Sequence, residues 1–202
     1  MGTAHGGAAP PNPTGGEMTS RDDLIRTTIA LMREQGVAGT GIADIIEGSG
    51  RSRRTVYVNF PGGKSELVDT ATRAAGGYIA GLIEAAIAKS TGRTDMLEQV
   101  GAAWRQVLVS SGFRSGCPIV AAALGRADSA PAADAAGEAF ETWIALLANR
   151  FEECGGGAKA ARQAATTIIA AIEGAVIVSS ATRSTQPLDD VEASLLAMYG
   201  DR

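Results

Sequence analysis

From Thr19 onward, apolar residues recur at steps of three and four, and glycine, proline or short polar joints separate one run from the next. Leu24, Ile25, Thr28, Ile29 and Met32 form the first such stripe, and Gly36 closes it. Thr19 or Ser20 can cap the start of that helix, with Asp22 and Asp23 favourable near the positive end of its dipole. The pattern then predicts a short helix over about 42–47, a third over about 53–59 and, after Pro61-Gly62-Gly63, a long fourth over about 64–88. Beyond the joint at 90–93, helical spacing resumes over 94–111, 118–127, 132–154, 158–182 and 188–199. No stretch alternates with period two, so the expected class is all-α, helix packed on helix. The expected units are a small one over 19–65 and a larger one over 66–202, preceded by a tail.

That tail, residues 1–18, is rich in Gly and Pro, nearly free of apolar bulk, and expected to be disordered. It holds the only histidine, His5, which is therefore poorly placed for catalysis. The tail lacks the basic start and apolar run of a secretory signal, and no window approaches the roughly 18–20 uninterrupted apolar residues of a membrane span. A soluble cytoplasmic protein without a membrane partner is expected. The chain of 202 residues carries a net charge of −4, which argues against wholesale coating of nucleic acid and leaves a local basic patch open. Cys117 and Cys154 are too few for a disulfide framework or a zinc set. Both are expected as buried thiols, with a redox pair as the alternative. No metal or cofactor is implied.

Function concentrates in residues 40–64, TGIADIIEGSGRSRRTVYVNFPGGK. Two short helices flank a turn at Ser49-Gly50-Arg51, the layout of a helix-turn-helix. Gly50 suits a left-handed turn position, and Ser52 can cap the helix that follows. Ile42, Ile45 and Ile46 face inward on the second helix, while Val56 and Phe60 are spaced to pin the third. Arg51, Arg53, Arg54 and Lys64 fall in a stretch, 51–64, without Asp or Glu. In such motifs the start of the second helix reads base edges in the major groove. Arg53 and Arg54 stand there, and an arginine fork discriminates guanine by about 1–3 kcal/mol. Thr40, Thr55, Tyr57 and Lys64 suit phosphate oxygens, and Ser52 and Asn59 complete the candidate interface. The start of the fourth helix offers N–H groups to a phosphate. Gly63-Lys64-Ser65 resembles the end of a phosphate-binding P-loop, but position 58 is Val and the surroundings are helical, so that reading fails. A solvated arginine cluster is the bland alternative; turn glycine, cap, apolar spacing and charge occurring together outweigh it.

The same residues resemble the DNA-binding domain of the tetracycline-repressor (TetR) family. The run from Thr40 through Asp44-Ile45, Gly50, Ser52, Thr55-Val56-Tyr57 and Phe60 to Lys64 follows the family pattern. Phe60-Pro61-Gly62-Gly63-Lys64 and Gly116-Cys117-Pro118-Ile119 suggest its branch of lincomycin- and multidrug-response repressors. Arg51, in place of a small or apolar residue, and Arg54, in place of a common glycine, depart from the pattern and bear on operator preference. The resemblance implies a homodimer on a palindromic double-stranded operator, released by a small apolar or amphipathic effector, with repression as the default output.

The second unit carries two apolar stripes at the end of the chain. Ala165, Ile168, Ile169, Ile172 and Val176 form one, and Leu188, Val191, Leu195 and Met198 the other. Such stripes pack inward or make half of an intermolecular four-helix bundle. The resemblance implies the bundle, with Ile168, Ile172, Ala175, Val176, Ser179, Leu188, Val191, Leu195 and Met198 at its interface and Gly174 permitting close approach. Trp104, Leu108, Phe113, Cys117, Ile119, Leu124, Phe140, Trp143, Ile144 and Leu147 are core by base rate. The resemblance implies an effector pocket in this region, with Trp104, Leu108, Phe113, Cys117, Phe140, Trp143, Leu147 and Ile169 as its candidate lining. Glu173, on an apolar stretch, is placed either to orient a polar ligand or to pair with an arginine. An enzyme is not expected, since the chain has no usable His and no nucleophile set. The alternative is a helical ligand- or protein-binding dimer without operator binding.

Overall fold

The computed structural model describes residues 19–155 and 157–201; the expected tail at 1–18 and its His5 lie outside them. Among the described residues there are helices and no strand. They are α1 (Ser20–Gly39), α2 (Ile42–Ser49), α3 (Arg53–Asn59), α4 (Gly63–Lys89), α5 (Arg93–Ser110), α6 (Pro118–Leu124), α7 (Ala130–Glu153), α8 (Ala158–Thr182) and α9 (Gln186–Tyr199).

Local chemistry sets the ends. Thr19 caps α1 in a reciprocal box with Asp22, and those hydrogen bonds hold the Asp22 carboxyl below its ordinary pKa. Gly36 leaves helical geometry at φ 72°, so regular α1 stops there and one more turn reaches Gly39. Gly50 closes α2 in the left-handed region (φ 65°), and the Ser52 hydroxyl accepts the Thr55 N–H at the start of α3. Pro118, Pro131 and Pro187 open α6, α7 and α9, where a missing N–H costs nothing.

Three apolar clusters run through the molecule. Leu24, Ile45, Val56, Phe60 and Leu67 clamp α1–α3 onto the start of α4. Further along α4, Val68, Ala71 and Ala75 join Met32, Ile119 and Trp143 in a second cluster. Thus α4 belongs to both the first three helices and the rest. It lies closely along α7, and a methyl group on Gly76 would come within 2.8 Å of Ala139 Cβ. The buried indole of Trp143 donates to the Gly76 carbonyl at 3.1 Å across that seam. The third cluster gathers α5, α7, α8 and α9. Between α5 and α9, Arg105 ties Asp189 and buried Glu192 together, and the Glu192 carboxylate fills the space that a side chain at Gly101 would need.

This packing corrects the expected pairing surface. Ile168, Ile172, Ala175, Val176 and Ser179 of α8, with Leu188 and Leu195 of α9, are buried inside the protomer. Val191 packs against the same core, and only Met198 of that set is exposed. The stripe faces inward because α7 and α5 cover it. On its outer side α8 leaves polar residues such as Arg162 and Thr166 exposed toward its start, and Ala170, Gly174, Ile177 and Val178 further along. Among the described residues α8 is the one helix long and apolar enough to cross a membrane, yet 44% of its most apolar window is buried within the protein. Cys117 is buried as expected; Cys154 is exposed, because it follows α7 into the surface turn.

Candidate nucleic-acid interface and inter-helix cavity

Val56 and Phe60 are anchored beneath α3, which leaves the opposite side of this short helix in water. Arg53 and Tyr57 lie four residues apart on that side, as do Arg54 and Val58, and all four are exposed. Neither Arg53 nor Arg54 forms an ion pair among the described residues. Two guanidinium groups therefore stand at the start of α3 beside a phenol and an isopropyl group. This mixture can bond guanine edges, touch a thymine methyl and reach phosphate oxygens.

The other expected DNA contacts divide. Ser52 and Thr55 sit beside the tip, but Ser52 is the helix cap and its hydroxyl also meets that of Thr55 at 2.8 Å. Asn59 turns back to donate to the Thr55 carbonyl. Thr40 is a correction: it is fully buried, with its hydroxyl on the Gly36 carbonyl at 2.7 Å, so its side chain braces the end of α1 and cannot touch a phosphate. Arg51 is another, since it pairs with Asp23 of α1, a carboxylate that Arg26 also holds at 3.0 Å. Its charge is spent on holding the turn to α1. Lys64 rests near the Ala38 carbonyl at 3.4 Å with its head exposed. The N–H of Gly62, ahead of α4, is already bonded to Glu66 at 2.7 Å, so the expected phosphate cradle is partly filled. Val58, exposed at 69%, escaped the sequence reading although it follows Arg54 by one helical turn. Arg21 also escaped it: its guanidinium lies 4.7 Å over the Phe60 ring, adding a cation from α1 that no local motif marks.

The residues expected around an aromatic pocket lie in or against the apolar clusters, except that Leu124, expected in the core with them, is exposed at the end of α6. Leu108, Trp143 and Leu147 are buried, and Trp104, Phe113, Phe140 and Ile169 pack against the apolar clusters, Phe140 edge-on to Trp143 at 5.3 Å. None of the seven lines a cavity of about 240 Å³ to which Cys117 and Glu173 do contribute. That cavity lies where α1, the 111–117 turn, α6 and α8 converge. Arg33 of α1 is fastened to the turn in both directions: its Nε donates to the Gly116 carbonyl at 3.0 Å, and the Gly116 N–H donates to the Arg33 carbonyl at 3.0 Å. Burial pulls the Arg33 guanidinium below its ordinary pKa. Burial likewise pushes the Glu173 carboxyl up to about 7, against the opposing pull of the adjacent Cys117 thiol. The thiol is itself driven well up by burial and by the carboxyl beside it. Among the described residues Glu173 has no arginine partner, and its Oε2 is buried without any hydrogen bond.

Comparison with known proteins agrees with this architecture. Residues 24–71 match the family of bacterial regulatory proteins of the tetR type, and residues 94–194 match the C-terminal domain of LmrA/YxaF-like transcriptional regulators. An uncharacterised HTH-type transcriptional regulator of Mycobacterium tuberculosis is 32% identical over 181 residues, covering 87% of this chain and 91% of that protein. The HTH-type transcriptional regulator LmrA of Bacillus subtilis is 28% identical, covering 84% and 90%. In fold, the chain is similar to the regulatory protein TetR from Rhodobacter sphaeroides, with a TM-score of 0.79 at 20% identity over 87% of this chain and 96% of that one. The two sequence relatives are described as HTH-type transcriptional regulators. A basic helix-turn-helix tip, a helical second unit and matches along both place the chain in the TetR family of transcriptional regulators.

Proposed function

We propose that two copies of this chain sit on a twofold-symmetric operator, repress the adjacent gene, and leave when a small molecule occupies the second unit. The observation that carries this reading is the α3 face, where Arg53 and Arg54 stand exposed with Tyr57 and Val58 one turn behind them. Arg53 and Arg54 read bases, Val58 meets a thymine methyl, and Tyr57, Thr55 and Lys64 set register on phosphates. The working units are 19–65 for DNA and 66–202 for effector and pairing, in the cytoplasm.

Pairing uses the outer side of α8 and α9. Ile177, Val178 and Met198 are exposed there, with Gly174, Ala193 and Ala197 small enough for helices of a second copy to approach closely. Two copies related by a twofold axis set their α3 tips about 34 Å apart, one turn of duplex. Release follows if the effector prefers a conformer in which that spacing is wrong, because equal affinity for both conformers shifts nothing. A helical dimer that binds ligand without DNA would have no use for the exposed arginines of α3.

The test is sequencing of genomic fragments retained by the purified protein. An enriched inverted repeat with half-sites one turn apart is expected. Retention of fragments with no common sequence would contradict operator recognition.

A further inference from the structure

We infer that the cavity between α1 and α8 is a ligand site for a compact bipolar molecule, with an anionic or strongly accepting group toward Arg33 and an N–H donor toward Glu173. This rests on the reading of the chain as an effector-responsive regulator and moves the effector from the second unit alone to the junction where α1 of the first unit meets α6 and α8 of the second.

The two walls scarcely touch each other, and Cys117, Val120 and Ala121 form the floor between them. Glu173, Val176, Ile177 and Ser180 of α8 follow one another at steps of three and four and so make a single strip. Two polar atoms on that strip, Glu173 Oε2 and Ser180 Oγ, are buried without a partner. Native proteins rarely leave such atoms unpaired, because each has lost water and gained nothing in return. The Cys117 thiol is too weak a donor to make good the loss. A ligand N–H would supply the missing donor to Glu173, and the Ser180 hydroxyl can meet it as donor or acceptor.

The α1 wall has the opposite need. Arg33 spends Nε on the Gly116 carbonyl, and Arg114 spends its own Nε on the Ser111 carbonyl. Among the described residues neither guanidinium has a carboxylate partner. Both line the cavity, and a carboxylate or similar anion would pair with them. Between the two polar ends the lining is Met32, Val120, Ala121 and Val176, which suits hydrocarbon. At about 240 Å³ the space falls below the roughly 300–1,000 Å³ of sites for drug-sized molecules, so the occupant is small. Occupancy would bear directly on α1, the helix to which α2 and α3 are clamped, and on the turn that Arg33 fastens to it.

The test uses the full chain with ¹³C-methyl methionine, free of DNA, and follows the Met32 methyl resonance by NMR. The probes are 4-(aminomethyl)benzoate, which carries both heads, and benzylamine and 4-methylbenzoate, which carry one each. The two-headed probe is expected to bind at least about tenfold more tightly than either single-headed one. In Glu173→Gln its advantage over 4-methylbenzoate should shrink severalfold while 4-methylbenzoate itself binds as before. Ala121→Leu, which fills the floor, should abolish the Met32 response to all three without changing the circular dichroism spectrum. Equal binding of the three probes, an undiminished advantage in Glu173→Gln, or a silent Met32 methyl at every concentration would overturn the assignment. Because no DNA is present, such a result leaves operator recognition standing, and a failed operator selection would not affect the probe ranking.

Discussion

The tip of α3 and the α8 wall of the cavity both carry charge-bearing groups, in opposite surroundings. Arg53 and Arg54 stand in water with no ion-pair partner among the described residues, so the folded protein neither gains nor loses much by holding them there. The Glu173 carboxyl is largely withdrawn from water: burial raises its pKa to about 7, and its Oε2 has no hydrogen-bond partner among the described residues. The contrast separates two ways of keeping a binding group ready. A solvated cation waits for a polyanion at no cost to stability, whereas a desolvated carboxyl stores an unfavourable interaction that a partner can relieve.

The contrast is broken most forcefully at the tip. Replacing both Arg53 and Arg54 by Ala should weaken binding to the selected operator by at least about a hundredfold, from roughly 1–3 kcal/mol for each lost base contact. Thermal unfolding should stay within about 0.5 kcal/mol of the parent. Fluorescence anisotropy at fixed salt and a calorimetric scan measure the two quantities, and a stability loss comparable to the affinity loss would show that the arginines belong to the fold.

At the cavity the order reverses. Glu173 keeps its proton in the folded state up to about pH 7, whereas 4.5 is its ordinary value. Between those values the native state binds more protons than the unfolded one, so this group's contribution to stability falls as pH rises and then levels off above about 7. The full span corresponds to about 3 kcal/mol. Denaturation at stepped pH should show that slope in the parent relative to Glu173→Gln, and parallel curves would refute the desolvated carboxyl. Arg33, Arg114 and Cys117 face the same space, and the comparison with Glu173→Gln cancels what they contribute equally to both proteins.

Smaller effects sharpen the boundary between fold and interface. Arg51→Ala should cost about 1–2 kcal/mol of stability, a charged hydrogen bond discounted for partial exposure, because Asp23 keeps Arg26 alone. Operator affinity measured well below the unfolding midpoint should change far less than for Arg54→Ala; a larger change would return Arg51 to the base-reading set. Val58→Ala should leave unfolding unaltered and lower operator affinity only a few-fold, about 1 kcal/mol for the lost methyl contact. No change in a titration of the operator would remove Val58 from the interface.

What could be read without coordinates follows the range of the interactions. The all-helical class, the α3 limits Arg53–Asn59, the left-handed Gly50 and the Ser52 cap all rest on contacts within a turn or two of the chain, and each was legible. The role of Arg51 was not, because its partner Asp23 lies 28 positions away. Thr40 was misplaced for a different reason: a hydroxyl that bonds the carbonyl four residues back looks the same in sequence as one that points at solvent. On α8 the difficulty is that both sides are apolar. Ile172 and Val176 face the core while Ile177 and Val178 face out, and periodicity marks a stripe without saying which neighbour covers it. Cys117 and Glu173 were singled out from the residues around them, but Arg33 reaches the same space from 83 positions away, through Gly116.

The central claim is that paired α3 tips occupy successive major grooves on one side of the duplex. Inserting about five base pairs between the half-sites of the selected operator turns one tip away by half a helical turn. Binding of two copies should then weaken by at least about a hundredfold. Affinity unchanged by the insertion would contradict the account, since it would mean that the arginines of α3 are not held at a fixed spacing.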